Sequence, residues 1–235
     1  MCRTEARHLA SAHKFRQLRE YLRHALLRVF GVQLSTIRYT LASYADVDYR
    51  ISKASAAFGA LSYVLRNKHV SSHLRGEVYK ALVLSTLLYG CEVWCLREDL
   101  FNRLRSSYKR CIRRMCRVSL HHAFHHHISS ATLSQGLNVM DLDSYYHNRI
   151  LRCAGHVARM PTTRAPRQML TGWVAHSRPN GCPEMTWGRA LKMALKCKGL
   201  PVDFKEWRFK AEDRSEWRSR TYVLEISKSM PPSKN

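Results

Sequence analysis

Three features of this 235-residue chain predict an all-α protein, an irregular helical bundle with a Pro/Gly-punctuated connection to a small helical C-terminal piece. Apolar residues recur every three or four positions along most of its length, with no alternating stretch long enough for a strand. Ser, Asp, Gly and Pro fall where these periodic stretches begin and end. A hydrophobic share of 45%, with five Trp, eleven Tyr and seven Phe, is enough for a core and excludes a wholly disordered chain.

The elements follow in order. Residues 5–30 read as a helix with Phe15, Leu18, Leu22, Leu26 and Val29 on one face and Gly31 beyond its end. Residues 31–45 are irregular. Asp46 or Asp48 caps a helix to about Arg66, on Ile51, Ala54, Phe58, Leu61 and Leu65, each carboxylate suiting the positive end of the helix dipole. Ser71 or Ser72 caps the next, which runs to about Tyr89, where Gly90 bends or ends it. The run 81–96 is the most apolar, but it is shorter than the roughly 20 residues of a bilayer span and contains Glu92. It reads as a buried core helix.

Residues 98–117 carry the clearest amphipathic pattern, with Leu100, Phe101, Leu104, Tyr108, Ile112 and Met115 as the apolar stripe. A His-rich loop over 118–128 follows, then a helix from Asp141 to about Met160. Pro161, Pro166, Pro179, Gly181 and Pro183 punctuate a connection. A helix from Trp187 to Lys198 stops at Gly199-Leu200-Pro201, and a last helical region covers 203–220. The chain thus divides into an unassigned helix and loop (1–45), a helical body (46–160), the connection with its small helical region (161–226) and a frayed tail (227–235). Trp207 and Trp217 repeat at ten residues, about 80° apart on one continuous helix, which predicts core anchors rather than a base-stacking platform.

The charge is unusual. Forty Lys+Arg stand against 17 Asp+Glu, a formal net charge of +23, and each quarter of the chain is basic. Such a field attracts polyanions and is not confined to a tail. Two helices organise it. On one, Arg105, Lys109, Arg113 and Arg117 recur every four residues beside Arg103, Arg110 and Arg114, with no carboxylate between 100 and 117. On the other, Arg149, Arg152, His156 and Arg159 share a stripe opposite Leu142, Tyr146, Ile150, Ala154 and Val157. Both arrays predict phosphate neutralisation, with Arg105, Lys109, Arg113, Arg114, Arg117, Arg149, Arg152 and Arg159 as candidate contacts in a non-specific, salt-dependent grip.

Two other constellations invite chemistry. Tyr44-Ala45-Asp46-Val47 resembles the aromatic-x-Asp-Asp turn with which polymerases hold a metal pair, but Val47 replaces the second carboxylate and no alternating strands flank it. Helix capping is the better reading. Five imidazoles, at 121, 122, 125, 126 and 127, follow Cys111 and Cys116 closely. Cys111, Cys116, His121 and His125 come near zinc-ligand spacing, yet a solvated basic loop explains the histidines and packing explains cysteines on apolar faces. The start of the chain has no apolar stretch of signal-peptide length, so the eight cysteines are expected as reduced thiols of an intracellular protein. No cofactor motif is present.

The order of several short motifs carries a resemblance. Asp48-x-Arg50-Ile51-x-Lys53-Ala54-x-x-Ala57-Phe58-x-x-Leu61 is followed by Leu87-Leu88-Tyr89-Gly90-Cys91-Glu92-Val93-Trp94. Gly155-His156-Val157-x-Arg159-Met160, Gly181-Cys182-Pro183-x-x-Thr186-Trp187 and Asp213-Arg214-x-x-Trp217-Arg218 come after. Together they resemble the C-terminal region, downstream of the polymerase palm, of the endonuclease–reverse transcriptases of non-LTR (LINE-type) retrotransposons. The resemblance implies a thumb-like and post-thumb helical region that grips duplex or RNA–DNA hybrid. The segment from Asp48 onward aligns past the palm, so no catalytic residue carries over, and Cys182 stands where the family commonly has Arg. The expected function is a reverse-transcriptase fragment that binds nucleic acid without polymerase chemistry of its own. The alternatives are a zinc-stapled helical interaction module and a decayed reading frame without selected function.

Overall fold

Single side chains write the helix starts of this protein. Ser71, Ser119 and Ser129 each accept a hydrogen bond from a backbone N–H three residues on, at 3.3, 3.1 and 3.1 Å, and Asp203 accepts from Lys205 and Glu206 at 2.9 and 3.3 Å. The computed structural model describes residues 43–94, 96–171 and 187–222. The expected 5–30 helix, the irregular segment up to residue 42, Cys2, Cys95, Cys182 and the tail lie outside the described residues. The described chain is all helix and turn, as the periodicity predicts, with no strand among the described residues.

The described residues pack as two compact units, to both of which the 46–160 body contributes. The first comprises residues 43–89 and 98–141. Its helices are α1 (Ser43–Ala60), α2 (Ser62–Leu65), α3 (Ser72–Val78), a π-helical segment (Tyr79–Leu84), α4 (Ser85–Leu87), α5 (Glu98–Cys116), α6 (Leu120–His125) and α7 (Ser130–Gly136). Helix α1 packs on the π-helical segment, α4 and α5, and α5 packs on α7. Ala57, Leu61, Leu65, Tyr79, Leu104 and Met115 are wholly or almost wholly removed from solvent. A Cβ on Gly76 would stand 2.0 Å from the Leu137 carbonyl oxygen, so a side chain is excluded there. Tyr108 donates its hydroxyl to the Met140 carbonyl at 2.6 Å, and Arg75 donates to the Met115 carbonyl at 2.7 Å near the end of α5.

Four helices end on a left-handed residue: Arg117 (φ 57°), His127 (φ 50°), Asn138 (φ 53°) and Gly199 (φ 63°). In each case the next N–H reaches back five residues, to Arg113, Ala123, Ser134 and Leu195 respectively. This is the Schellman closure, and in three of four cases it does without glycine.

The second unit comprises residues 90–97 and 142–222. Gly90, at φ 72°, turns the chain into a 3₁₀ turn, Cys91–Val93. Helices α8 (Leu142–Ala158), α9 (Ala165–Thr171), α10 (Trp187–Cys197), α11 (Phe204–Glu212) and α12 (Arg214–Tyr222) follow. The 3₁₀ turn and α9 to α12 all pack on α8. Its buried residues therefore exceed one stripe: Leu151, Gly155 and Ala158 join Leu142, Tyr146, Ile150 and Ala154, while Val157 is half-buried.

Several boundaries differ from those the sequence predicts. Asp46 and Asp48 are not caps, because α1 already runs from Ser43 and Val47, 1% exposed, extends its buried face. The 118–128 segment holds α6 rather than a loop, since the Ser119 cap and the His127 closure offset a solvated face. Helices α7 and α9 are seven residues each, too short for a helical period to show in the sequence, and α9 lies within the predicted connection. The 203–220 region breaks at Asp213, whose extended backbone separates α11 from α12. Of the described cysteines, all free, Cys91 and Cys111 are buried and Cys197 is exposed. No helix of the described residues is long and apolar enough to cross a membrane.

Candidate nucleic-acid interface

Helix α5 has two chemically distinct halves around its axis. Leu100, Phe101, Leu104, Ser107, Tyr108, Cys111, Ile112 and Met115 are buried on one side. The other side opens with Glu98 and Asp99 in the first turn and closes with Arg113 and Arg114 in the last. That order suits the helix dipole, so part of the charge gradient stabilises the helix itself.

The cations of this helix divide by partner. Arg105 is ion-paired to Glu98, bonds Asn102 at 2.8 Å and lies 4.4 Å over the Phe101 ring. Arg103 pairs with Asp48 at 2.5 Å. Arg117, just past the helix end, donates Nε to the Arg66 carbonyl at 2.9 Å. Lys109, Arg110, Arg113 and Arg114 have no carboxylate partner among the described residues. They form two i,i+4 rows on adjacent turns, with Arg113 half-buried and the others exposed. Arg110 was not among the candidate contacts, although its spacing to Arg114 signals membership of the same patch.

In the second unit the candidates are spread differently. Arg149 faces Glu92 at 3.4 Å, next to Cys91. Burial, reinforced by the Glu92 charge and opposed by Arg149, pushes the Cys91 thiol up to about 12. Arg152 and His156 are exposed. Arg159 donates Nη1 to the Ala211 carbonyl at 2.6 Å, and burial together with the nearby Arg214 charge lowers its pKa. It also lines a hollow of about 290 Å³ with His156, Met160, Pro161 and Arg164.

The four zinc candidates do not converge as a set: the two thiols face away from the histidine pair. Cys111 is buried in α5 with its thiol pKa raised by burial, and Cys116 turns its Sγ to the Leu133 carbonyl at 3.9 Å. His121 and His125 are exposed on α6. No group of three or more His, Cys, Asp or Glu among the described residues is arranged to hold a metal ion. Asp46 and Asp48 stand about 200° apart around α1. Asp46 pairs with Arg50 at 3.5 Å and Asp48 with Arg103, so they do not form a shared carboxylate pair.

The motif residues of the second unit hold it together. Trp187 donates Nε1 to the Glu92 carbonyl at 2.8 Å, and the Trp94 carbonyl accepts from the Tyr146 hydroxyl at 3.1 Å. Trp217 donates Nε1 to the Leu151 carbonyl at 2.9 Å, and Asp213 accepts from the N–H groups of Ser215 and Glu216 at the start of α12.

No protein-family model matches the chain, and no solved structure matches it. The chain is similar to an uncharacterised transposon-derived protein of Caenorhabditis elegans. The two are 26% identical over 147 residues, which cover 61% of this chain and 52% of the relative. The chain thus spans about half the length of that relative. In sequence it is related to a transposon-derived protein.

Proposed function

We propose that this chain is the nucleic-acid-gripping, post-palm part of a LINE-type reverse transcriptase, and that it binds duplex or RNA–DNA hybrid without sequence preference. The observation that carries the reading is the patch formed by Lys109, Arg110, Arg113 and Arg114 on α5. Four cations on the outer side of α5, three exposed and one half-buried, opposite a buried face and without carboxylate partners among the described residues, suit a phosphate backbone. The ordered motifs and the similarity to a transposon-derived protein supply the genomic context. In this reading the chain contributes grip and no polymerase chemistry, in line with Asp46 being paired to Arg50 within α1 and Asp48 to Arg103 of α5.

The test is binding of labelled duplex and RNA–DNA hybrid by the full chain across a salt series. The logarithm of the affinity falls linearly with log salt. If the four patch cations each displace a counterion, they contribute a slope of about −3 to −4. Absence of binding at low salt, or a sequence-dependent affinity without salt dependence, would overturn the proposal.

A further inference from the structure

The histidine-rich segment belongs to none of this, and its geometry is specific. Helix α6 places His121 one turn from His125 and His122 one turn from His126. The ring centroids lie 4.1 and 4.2 Å apart, and the planes are inclined by 52° and 45° rather than parallel. All four rings are exposed. The helix beneath them is held at both ends. Ser119 Oγ accepts from the His122 N–H at 3.1 Å, and the His126 N–H bonds the His122 carbonyl at 3.0 Å. The left-handed His127 then closes the turn through the Ile128 N–H to the Ala123 carbonyl at 2.9 Å.

We propose that α6 is a chelating helix for a divalent transition-metal ion, seated between His121 and His125 or between His122 and His126. An ion that binds imidazole nitrogen at about 2.0–2.1 Å needs two rings whose ring nitrogens can turn toward one point. Rings one helical turn apart, close but inclined, meet that need with small side-chain rotations. The donor set selects the ion. Residues 118–140 contain no carboxylate, so magnesium and calcium, which require oxygen ligands, are poorly served. Zinc, nickel, cobalt and copper(II) accept imidazole readily. The thiols are not part of the site: Cys111 is buried in α5 and Cys116 faces the Leu133 carbonyl. Two protein ligands leave the remaining coordination positions to water or to an oxygen of a bound partner. The pairs sit on neighbouring faces of one short helix, so the charge of a first ion weakens binding of a second.

The experiment uses the full chain stripped with EDTA and titrated with zinc by calorimetry and with cobalt by absorption. Wild type takes up zinc, and cobalt develops visible d–d bands without the near-ultraviolet sulfur-to-cobalt charge-transfer band. His121→Ala and His122→Ala each break one pair and leave the other, so each retains binding. His125→Ala/His126→Ala breaks both, and this uptake is lost while far-ultraviolet circular dichroism stays unchanged. His69→Ala, exposed and elsewhere in the unit, is the neutral control. A sulfur charge-transfer band, unaltered uptake in the double variant, or no uptake by wild type would each overturn the proposal.

Discussion

The indole of Trp217 occupies the space where a side chain on Gly155 would stand: a Cβ there would lie 2.2 Å from Nε1 and 2.5 Å from Cδ1. The same Nε1 donates to the Leu151 carbonyl, one turn earlier on α8, and the ring lies 6.1 Å from that of Trp207. α8 therefore lacks a side chain where α12 inserts its largest one. Both residues belong to the motif series of the resemblance, and their partnership is a packing relationship.

Gly155→Ala should therefore destabilise the second unit by about 1–3 kcal/mol, the range for overpacking a filled core. Trp217→Leu also destabilises, and the double variant loses less than the sum of the two, because the smaller side chain admits the new methyl group. The four described Trp, at 94, 187, 207 and 217, all belong to the second unit, so urea unfolding followed by Trp fluorescence reports on this unit. Additive losses would show that Gly155 and Trp217 do not compete for the same space.

How legible this was depended on the kind of signal. The apolar stripe of α5 and the capping by Ser71 could be read directly, because amphipathic period and a cap are local properties. The fate of Asp46 could not: its role depends on where α1 begins, and buried Val47 draws the helix a turn earlier. Trp207 and Trp217 were legible as anchors, but through an incorrect geometry. They meet because Asp213 breaks the helix, not because of angular separation on a continuous one. Among the basic residues, spacing identified the face but not the partners. Arg103 and Arg105 are engaged by Asp48, which is remote in sequence, and by Glu98, which precedes the cation-only stretch.

His127 is an exposed residue held at φ 50°, a region where a Cβ costs about 1–2 kcal/mol and glycine's extra unfolded-state entropy costs about 0.5–1. His127→Gly should raise stability by up to about 1.5 kcal/mol, seen as a higher urea midpoint by circular dichroism. A lower midpoint would show that the His127 side chain makes a contribution that its backbone geometry does not reveal.

Asp213 caps α12, and its pKa is lowered by hydrogen bonds from the Ser215 hydroxyl and from the Glu216 and Ser215 N–H groups. A carboxyl depressed in the folded state stabilises above its unfolded pKa and loses that contribution as pH falls through the folded value. Stability should therefore decline on acidification below the ordinary Asp range, and Asp213→Asn, which caps without titrating, should flatten that part of the profile. An identical acid limb in the variant would assign the decline to other carboxylates.

Among the described cysteines, thiol chemistry should follow exposure. Cys197 reacts first with a maleimide at neutral pH, whereas Cys91, buried and pushed up to about 12, reacts only through unfolding. Mass-spectrometric mapping against labelling time checks the order, and early modification of Cys91 would contradict it.

The arginines should separate into two classes by experiment. Replacing Lys109 and Arg113 with Gln removes two cations that have no carboxylate partner among the described residues, so the salt slope of nucleic-acid binding should shrink by about 2, with a stability cost of no more than about 1 kcal/mol from the lost helix-dipole interaction of Arg113. Arg159→Met instead removes the donor to the Ala211 carbonyl and should cost about 1.5–3 kcal/mol, the range for a hydrogen bond to a charged group, while leaving the slope nearly unaltered. The contrast matters because all three residues lie on basic helical stripes, and spacing alone ranks them equally. If Arg159→Met changes the slope as much as the α5 double variant, phosphate contact is set by charge density over the whole surface. If only the α5 variant does, the grip resides where cations lack partners within the fold.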